Sequence, residues 1–158
     1  MRIGITGHRG LPDEVEQRVR QELAEAVKAY PPDELVGVSC IADGPDAWFA
    51  RSVLDRGGRV EVVIPAAEYR NSLPGWHHVT YDEILDRASD VHHTGLDEPT
   101  SQAHMAGSEL LVGLVDEVLA VWDGQPARGY GGTADVVAYA QRIGVPVRVL
   151  WPEGATRD

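Results

Sequence analysis

The chain has 158 residues, 43% of them apolar and 25% charged, which is enough for one packed core and close to the balance of ordinary globular proteins. No apolar run approaches the roughly 18 residues that a membrane span needs, and a single cysteine, Cys40, excludes an internal disulfide. The formal net charge of −11 repels nucleic acid unless a basic patch overrides it, and no cluster of Arg or Lys stands out, so neither nucleic acid nor membrane is expected as a partner. With no signal-peptide pattern at the start, the expected location is the cytoplasm. A small anion remains compatible with the charge, because fields are screened within about 10 Å at 0.1 M salt.

Taken in order, Arg2 to Thr6 reads as a short apolar strand, followed by the loop Gly7-His8-Arg9-Gly10. Pro12-Asp13-Glu14 opens a helix, with proline and acidic residues in its first turn. Val15, Val19, Leu23 and Val27 give it one apolar stripe, and Pro31-Pro32 ends it. Leu35 to Ile41 is a second strand, apolar nearly throughout, as suits a strand covered on both faces. Asp43-Gly44-Pro45-Asp46 turns into a helix with Ala47, Ala50 and Leu54 inward, closed by Gly57-Gly58. Arg59 to Ile64 is the third strand. Ala66 to His78 reads as a long loop, with a short helix marked by Tyr81, Ile84, Leu85 and Ala88, and Asp90 to Thr94 reads as a minor strand. A helix over Ser101 to Val115 precedes the strand Val118 to Trp122. A glycine loop and a helix over Ala134 to Ala140 follow it. Val145 to Trp151 reads as the last strand and Pro152 to Asp158 as a frayed tail.

Strands alternating with helices predict a single α/β domain over residues 1–158, a Rossmann-like three-layer sandwich with a mainly parallel sheet. Ligands bind such sheets outside the carboxyl ends of the strands, near the point where the strand order reverses. The loops after the first, second and fifth strands are expected to meet there. The most telling is Gly129-Tyr130-Gly131-Gly132-Thr133, between an apolar strand and an apolar helix. A helix start presents unpaired N–H groups and the positive end of its dipole, which suits a phosphate or carboxylate. The same glycines also serve simply to turn the chain. Gly4, Gly7 and Gly10 lack the Gly-x-Gly-x-x-Gly spacing, and no acid ends the second strand, which argues against an ordinary NAD site. No P-loop motif occurs.

Thr6-Gly7-His8-Arg9, Ala42-Asp43-Gly44-Pro45-Asp46, Val121-Trp122-Asp123-Gly124 and Gly131-Gly132-Thr133 together resemble the SLOG superfamily. This is the Rossmann-like group that contains the Lonely Guy phosphoribohydrolases and the Smf/DprA proteins. The resemblance implies a nucleotide or nucleotide-derived ligand at the glycine-rich edge, held by Thr6, Gly7, His8, Arg9, Asp43, Gly44, Asp123, Gly129, Gly131, Gly132 and Thr133. It also implies a homodimer. The Lonely Guy enzymes carry Pro-Gly-Gly-x-Gly-Thr-x-x-Glu, whereas this chain has Val136 three places after Thr133 and Arg128-Gly129-Tyr130 in place of the leading residues. No catalytic residue and no cofactor are assigned. A ligand-binding sensor is the leading reading. N-glycosidic hydrolysis of a nucleoside monophosphate is the alternative, with Asp43, Asp123 and Asp135 as its candidate carboxylates, and a purely structural subunit is the third.

Individual residues carry two readings each. Arg9 either clamps a phosphate bidentately or is a surface arginine. His8 either meets a base or ribose or packs against the next loop. Asp43 either holds a ribose hydroxyl or caps the helix that follows. Asp123 either does the same or makes a turn with Gly124. The pairs His77-His78 and His92-His93 do not chelate one ion readily, since neighbours on a strand face opposite ways, and no metal site is expected.

Overall fold

A computed structural model describes residues 1–157. The strands are β1 (Arg2–Gly7), β2 (Val36–Ser39), β3 (Arg59–Ile64), β4 (Asp90–His93), β5 (Glu117–Val121) and β6 (Val147–Val149). Between them run α1 (Asp13–Val27), α2 (Pro45–Arg56), α3 (Tyr69–Ser72), α4 (His78–Asp86), α5 (Ser101–Gly113) and α6 (Thr133–Arg142). The strands form one parallel six-stranded sheet in the order β4-β3-β2-β1-β5-β6. The α/β Rossmann-like expectation holds.

The chain steps from β1 outward to β4, then returns past its starting point to β5 and β6. Right-handed crossovers therefore put α1, α2 and α4 on one face and α5 and α6 on the other. The apolar strands follow from this double cover: Val36, Val38, Val60, Val62, Val63 and Val118 to Val121 are all buried. Helix α1 buries the predicted stripe of Val15, Val19, Leu23 and Val27. Gly4 lets α5 approach β1, since a Cβ there would stand 2.7 Å from the Leu111 side chain. The order reverses between β1 and β5, so the crevice of the fold opens above their carboxyl ends.

The expected long loop at 66–78 holds α3 and a 3-10 turn over Gly75–His77, because buried Tyr69 and Leu73 pin it to the core. β2 and β6 are shorter than expected. β2 stops at Ser39, whose hydroxyl accepts the Ile41 N–H, and Ile41 turns to φ 47. The last strand keeps three residues at the sheet edge. The segment after it is not loose over its described part: the Trp151 indole donates to the Ala155 carbonyl, and Ala155 packs on the core. Asp158, the last residue of the expected tail, lies outside the described residues. Among the described residues, no helix is long and apolar enough to cross a membrane.

Candidate functional site

A cavity of about 280 Å3 lies at the β1/β5 crossover point. Its walls come from six places in the chain, the last of them the C-terminal segment with Arg157. β1 and its loop bring Thr6, Gly7, His8 and Arg9. The segment from the end of β2 into α2 brings Cys40, Ala42 and Asp46. Pro65, Tyr69, His104 and Ser108 come from the β3 loop, α3 and α5, and Gly131, Gly132 and Thr133 from the start of α6. Thus Thr6, Gly7, His8, Arg9, Gly131, Gly132 and Thr133, named from sequence, share one cavity. A second groove of about 310 Å3 shares His104, Gly131, Gly132 and Arg157 with it and adds Arg128, Gly129 and the exposed ring of Tyr130.

The glycine loop is built differently from the simple picture of outward N–H groups. Gly131 takes φ 87, a conformation that glycine adopts without strain. Its N–H donates to Asp135 Oδ2 at 2.9 Å, and the Gly132 N–H donates to the Gly129 carbonyl at 3.3 Å. Gly132 is the N-cap of α6 with φ −72, so the left-handed conformation falls at Gly131. The N–H groups of Thr133 and Ala134, the first two of the helix, have no acceptor among the described residues. These are the donors left for an anion.

The other loop residues are largely engaged with one another. His8 is buried, and its Nε2 lies 3.1 Å from both the Asp123 carboxylate and the Asp123 backbone nitrogen. Its ring also meets the Trp151 ring edge-on. Burial pulls the His8 pKa below its ordinary value, with Arg157 acting the same way and Asp123 opposing. His8 is therefore neutral at pH 7 and latches β1 to the end of β5. Asp123 does not line the cavity. It accepts the Gln125 N–H, making the turn that sequence allowed, and Arg157 Nε lies 3.9 Å away. Burial works to raise its pKa, but Gln125, His8 and Arg157 together hold it below the usual range.

Arg9 Nη2 sits 2.6 Å from Asp43 Oδ1, an ion pair bent out of hydrogen-bond alignment. Asp43 is buried beneath it and stands outside the cavity lining. Asp43 makes no side-chain cap on α2, whose N-cap is Gly44 at φ 98. Gly44 borders a separate groove beside Trp48 and Trp76.

Sequence reasoning did not single out Asp46, Tyr69, His104, Ser108 or Arg157. Asp46 is the only carboxyl group among the described residues lining the cavity. Burial pushes its pKa up to about 7, against a hydrogen bond from the Ala42 backbone and the nearby Arg9. Tyr69 is 2% exposed and burial raises its phenol well above 10. Burial and Arg9 lower His104, whose ring meets Tyr69 edge-on at 5.7 Å. Cys40 is buried, with its thiol pushed up by burial and by Asp46. The signal for Asp46 was present in Gly44-Pro45-Asp46, since the first turn after a Gly-Pro helix start faces the same edge. Nothing local in the sequence marks Arg157.

The histidine pairs are separated in use. His77 bonds the Ile41 carbonyl, His78 the Arg70 carbonyl and His92 the Glu61 carboxylate. Glu61, Asp90 and His92 lie close enough to hold an ion. Both Glu61 oxygens are already taken by Arg2, at 2.7 and 2.8 Å.

Neither a family model nor a curated protein matches the chain. Solved structures do. DNA processing protein A (DprA) from Helicobacter pylori, studied for its single-stranded DNA binding mode, matches with TM-score 0.72 and 19% identity over 99% of this chain and 68% of its own. DprA from Streptococcus pneumoniae gives 0.69 and 19%, over 97% of this chain and 51% of that one. The molybdenum cofactor carrier protein of Chlamydomonas reinhardtii gives 0.56 and 16%, over 94% and 74%. The chain thus shares the Rossmann-like α/β fold of these structures, and it spans only half to two thirds of the DprA chains. The expectation that nucleic acid is excluded does not stand, because the first of these neighbours is a single-stranded DNA binder. The physical reason is locality: Arg9, Arg128 and Arg157 gather at this edge from distant parts of the sequence, and a net charge of −11 says little about a field screened over about 10 Å.

Proposed function

We propose that this protein binds a nucleotide or nucleotide-derived ligand at the β1/β5 edge, with its phosphate on the N-terminus of α6. The observation that carries the reading is the meeting of the Thr133 and Ala134 N–H groups, which have no acceptor among the described residues, with Arg9 and Arg157 around one cavity. An aligned helix dipole and guanidinium groups both favour an anion there. The neighbouring groove offers the face of Tyr130, 62% exposed, on which a base stacks. Binding without turnover is the leading form. Asp43, Asp123 and Asp135, the carboxylates that hydrolysis would draw on, are each engaged by Arg9, His8 or Gly131.

The test is a melting-temperature and calorimetric panel on the full chain. It contains nucleoside mono-, di- and triphosphates, sugar nucleotides and a short single-stranded oligonucleotide. Ligand bound to the native state alone stabilises by about 2.7 kcal/mol at a hundredfold excess over Kd. A flat response across the panel overturns the proposal. A response to the oligonucleotide alone moves the assignment from a free nucleotide to a nucleic-acid strand.

A further inference from the structure

We infer that Asp46 and Tyr69 form a second subsite of the cavity, one that recognises the hydroxyl groups of a phosphorylated sugar. The inference rests on the reading that the phosphate sits at α6, and it names what the opposite wall is for.

Tyr69 carries the first half of the argument. The residue is almost wholly buried, yet its hydroxyl has no hydrogen-bond partner among the described residues and the side chain lines the cavity. A phenol withdrawn from water normally finds a partner, and one left open to a cavity is a donor and acceptor waiting for a ligand group. Its ring is fixed from two sides, by Tyr81 at 6.2 Å and His104 at 5.7 Å, so the hydroxyl is held in place without bonds of its own.

Asp46 carries the second half. It stands in the first turn of α2, and the Ser39 hydroxyl fixes its backbone by donating to the Asp46 carbonyl. Its carboxyl is held by the Ala42 backbone, with Arg9 and Asp43 the charged groups facing it. A carboxyl in this place offers a phosphate no positive charge, whereas α6 does, so a phosphorylated ligand turns its anionic end to α6 and its uncharged polar end to Asp46. Burial favours the protonated form near neutrality, which lets the group donate as well as accept. Paired hydroxyls match such a wall, and Ser108 on α5 adds a further one to it. The cavity volume of about 280 Å3 sits at the small end for ligand sites, which suits a sugar phosphate inside it with any base outside.

The experiment is calorimetric titration of inorganic phosphate and of ribose 5-phosphate into the parent, Tyr69→Phe and Asp46→Asn. The parent is expected to bind ribose 5-phosphate at least tenfold more tightly than phosphate. Each variant should lose about tenfold for ribose 5-phosphate while phosphate affinity stays within about threefold. Tyr69→Phe keeps the ring and removes a hydroxyl that bonds none of the described residues, so its melting temperature should match the parent, and it carries the test alone if Asp46→Asn does not fold. Equal affinity of the parent for both probes overturns the subsite, as does an unchanged ratio in the variants. If the parent binds neither probe but binds a nucleotide, the phosphate site survives and the sugar subsite falls. If it binds nothing in the panel above, both fall.

Discussion

The carboxylate of Asp135 reaches back across the start of α6 and accepts the N–H of Gly131 at 2.9 Å. This contact ties the glycine loop to the helix start and occupies one of the two oxygens of Asp135. An acidic side chain in the first turn also favours the helix dipole. Asp135→Ala should cost about 1 kcal/mol, the usual loss for an N-terminal cap, and should weaken nucleotide binding indirectly by loosening the loop. Urea unfolding reads the first effect. A variant as stable as the parent shows that the loop holds without this bond.

Gly131 and Gly132 should differ in their tolerance of a side chain. Gly131 has φ 87, and a Cβ would stand 3.0 Å from the Ser101 carbonyl. Gly132 has an ordinary φ, and a Cβ there meets the Ala127 methyl at 3.0 Å. Gly131→Ala should lose about 1–3 kcal/mol, combining left-handed strain with a clash against backbone. Gly132→Ala should lose less than half as much. Gly132→Val should still abolish ligand binding, since the branched side chain stands beside the Thr133 N–H. Melting curves and titration of the three variants separate the two effects.

Much of this was legible in the chain before its structure. The alternation of strand and helix, the α1 stripe and the turn at Asp123-Gly124 are all local patterns, and each fixes its own backbone. That the first, second and fifth loops belong to the carboxyl edge of the sheet followed from the strand–helix alternation and the parallel sheet it predicts. What was not legible were pairings between distant segments. His8 and Asp123 are 115 residues apart, so no spacing rule joins them. Arg9 read as a phosphate clamp or a surface arginine, because the Asp43 beneath it arrives from another loop. Arg157 sat in a segment with no periodicity, and only the docking of Trp151 and Ala155 brings it to the site. The charge argument failed similarly, because net charge sums over residues that never share a surface.

Tyr130 tests the outer groove. Its ring is 62% exposed, so removing it should leave stability within about 0.5 kcal/mol of the parent. Stacking of a base on an aromatic ring contributes about 1–3 kcal/mol. Tyr130→Ala should therefore weaken a nucleoside monophosphate by roughly tenfold or more, with ribose 5-phosphate unaffected. Titration of both ligands checks it, and equal losses for the two would place the base elsewhere.

Asp46 should leave a mark on stability against pH. Its folded pKa, about 7, stands above the ordinary 3.8. Between those values the native state holds a proton that the unfolded chain has lost. The resulting stabilisation is complete below about pH 3.8 and falls progressively as pH rises through 7. At about 1.4 kcal/mol per unit it amounts to at most about 4 kcal/mol. Asp46→Asn, which cannot ionise, should flatten that part of the profile and be the more stable protein at pH 8. Urea unfolding of both between pH 4 and 8 measures the difference. Parallel profiles would mean that Asp46 titrates like an exposed carboxylate.

Arg9 and Asp43 form the pair on which binding and stability meet. As a phosphate clamp or a surface arginine, the two readings the sequence allows, Arg9 would be replaced by alanine with little loss of stability. The 2.6 Å contact with a buried Asp43 changes that expectation. Removing the guanidinium strands a carboxylate away from water, and an uncompensated buried charge is costly. Because the Arg9 side chain is 44% exposed, solvent screens part of the loss, and about 1–2 kcal/mol is the expected size. Asp43→Asn in the Arg9→Ala background should recover most of it, since the stranded charge is then gone. The double-mutant cycle isolates the pair's coupling. Ligand affinity should behave oppositely: Arg9→Ala lowers it in either background, because the cation that faces the phosphate is missing in both. Restored stability without restored affinity is the outcome that assigns Arg9 to both tasks. If affinity returns with stability, Arg9 serves the loop and the anion is held by α6 and Arg157.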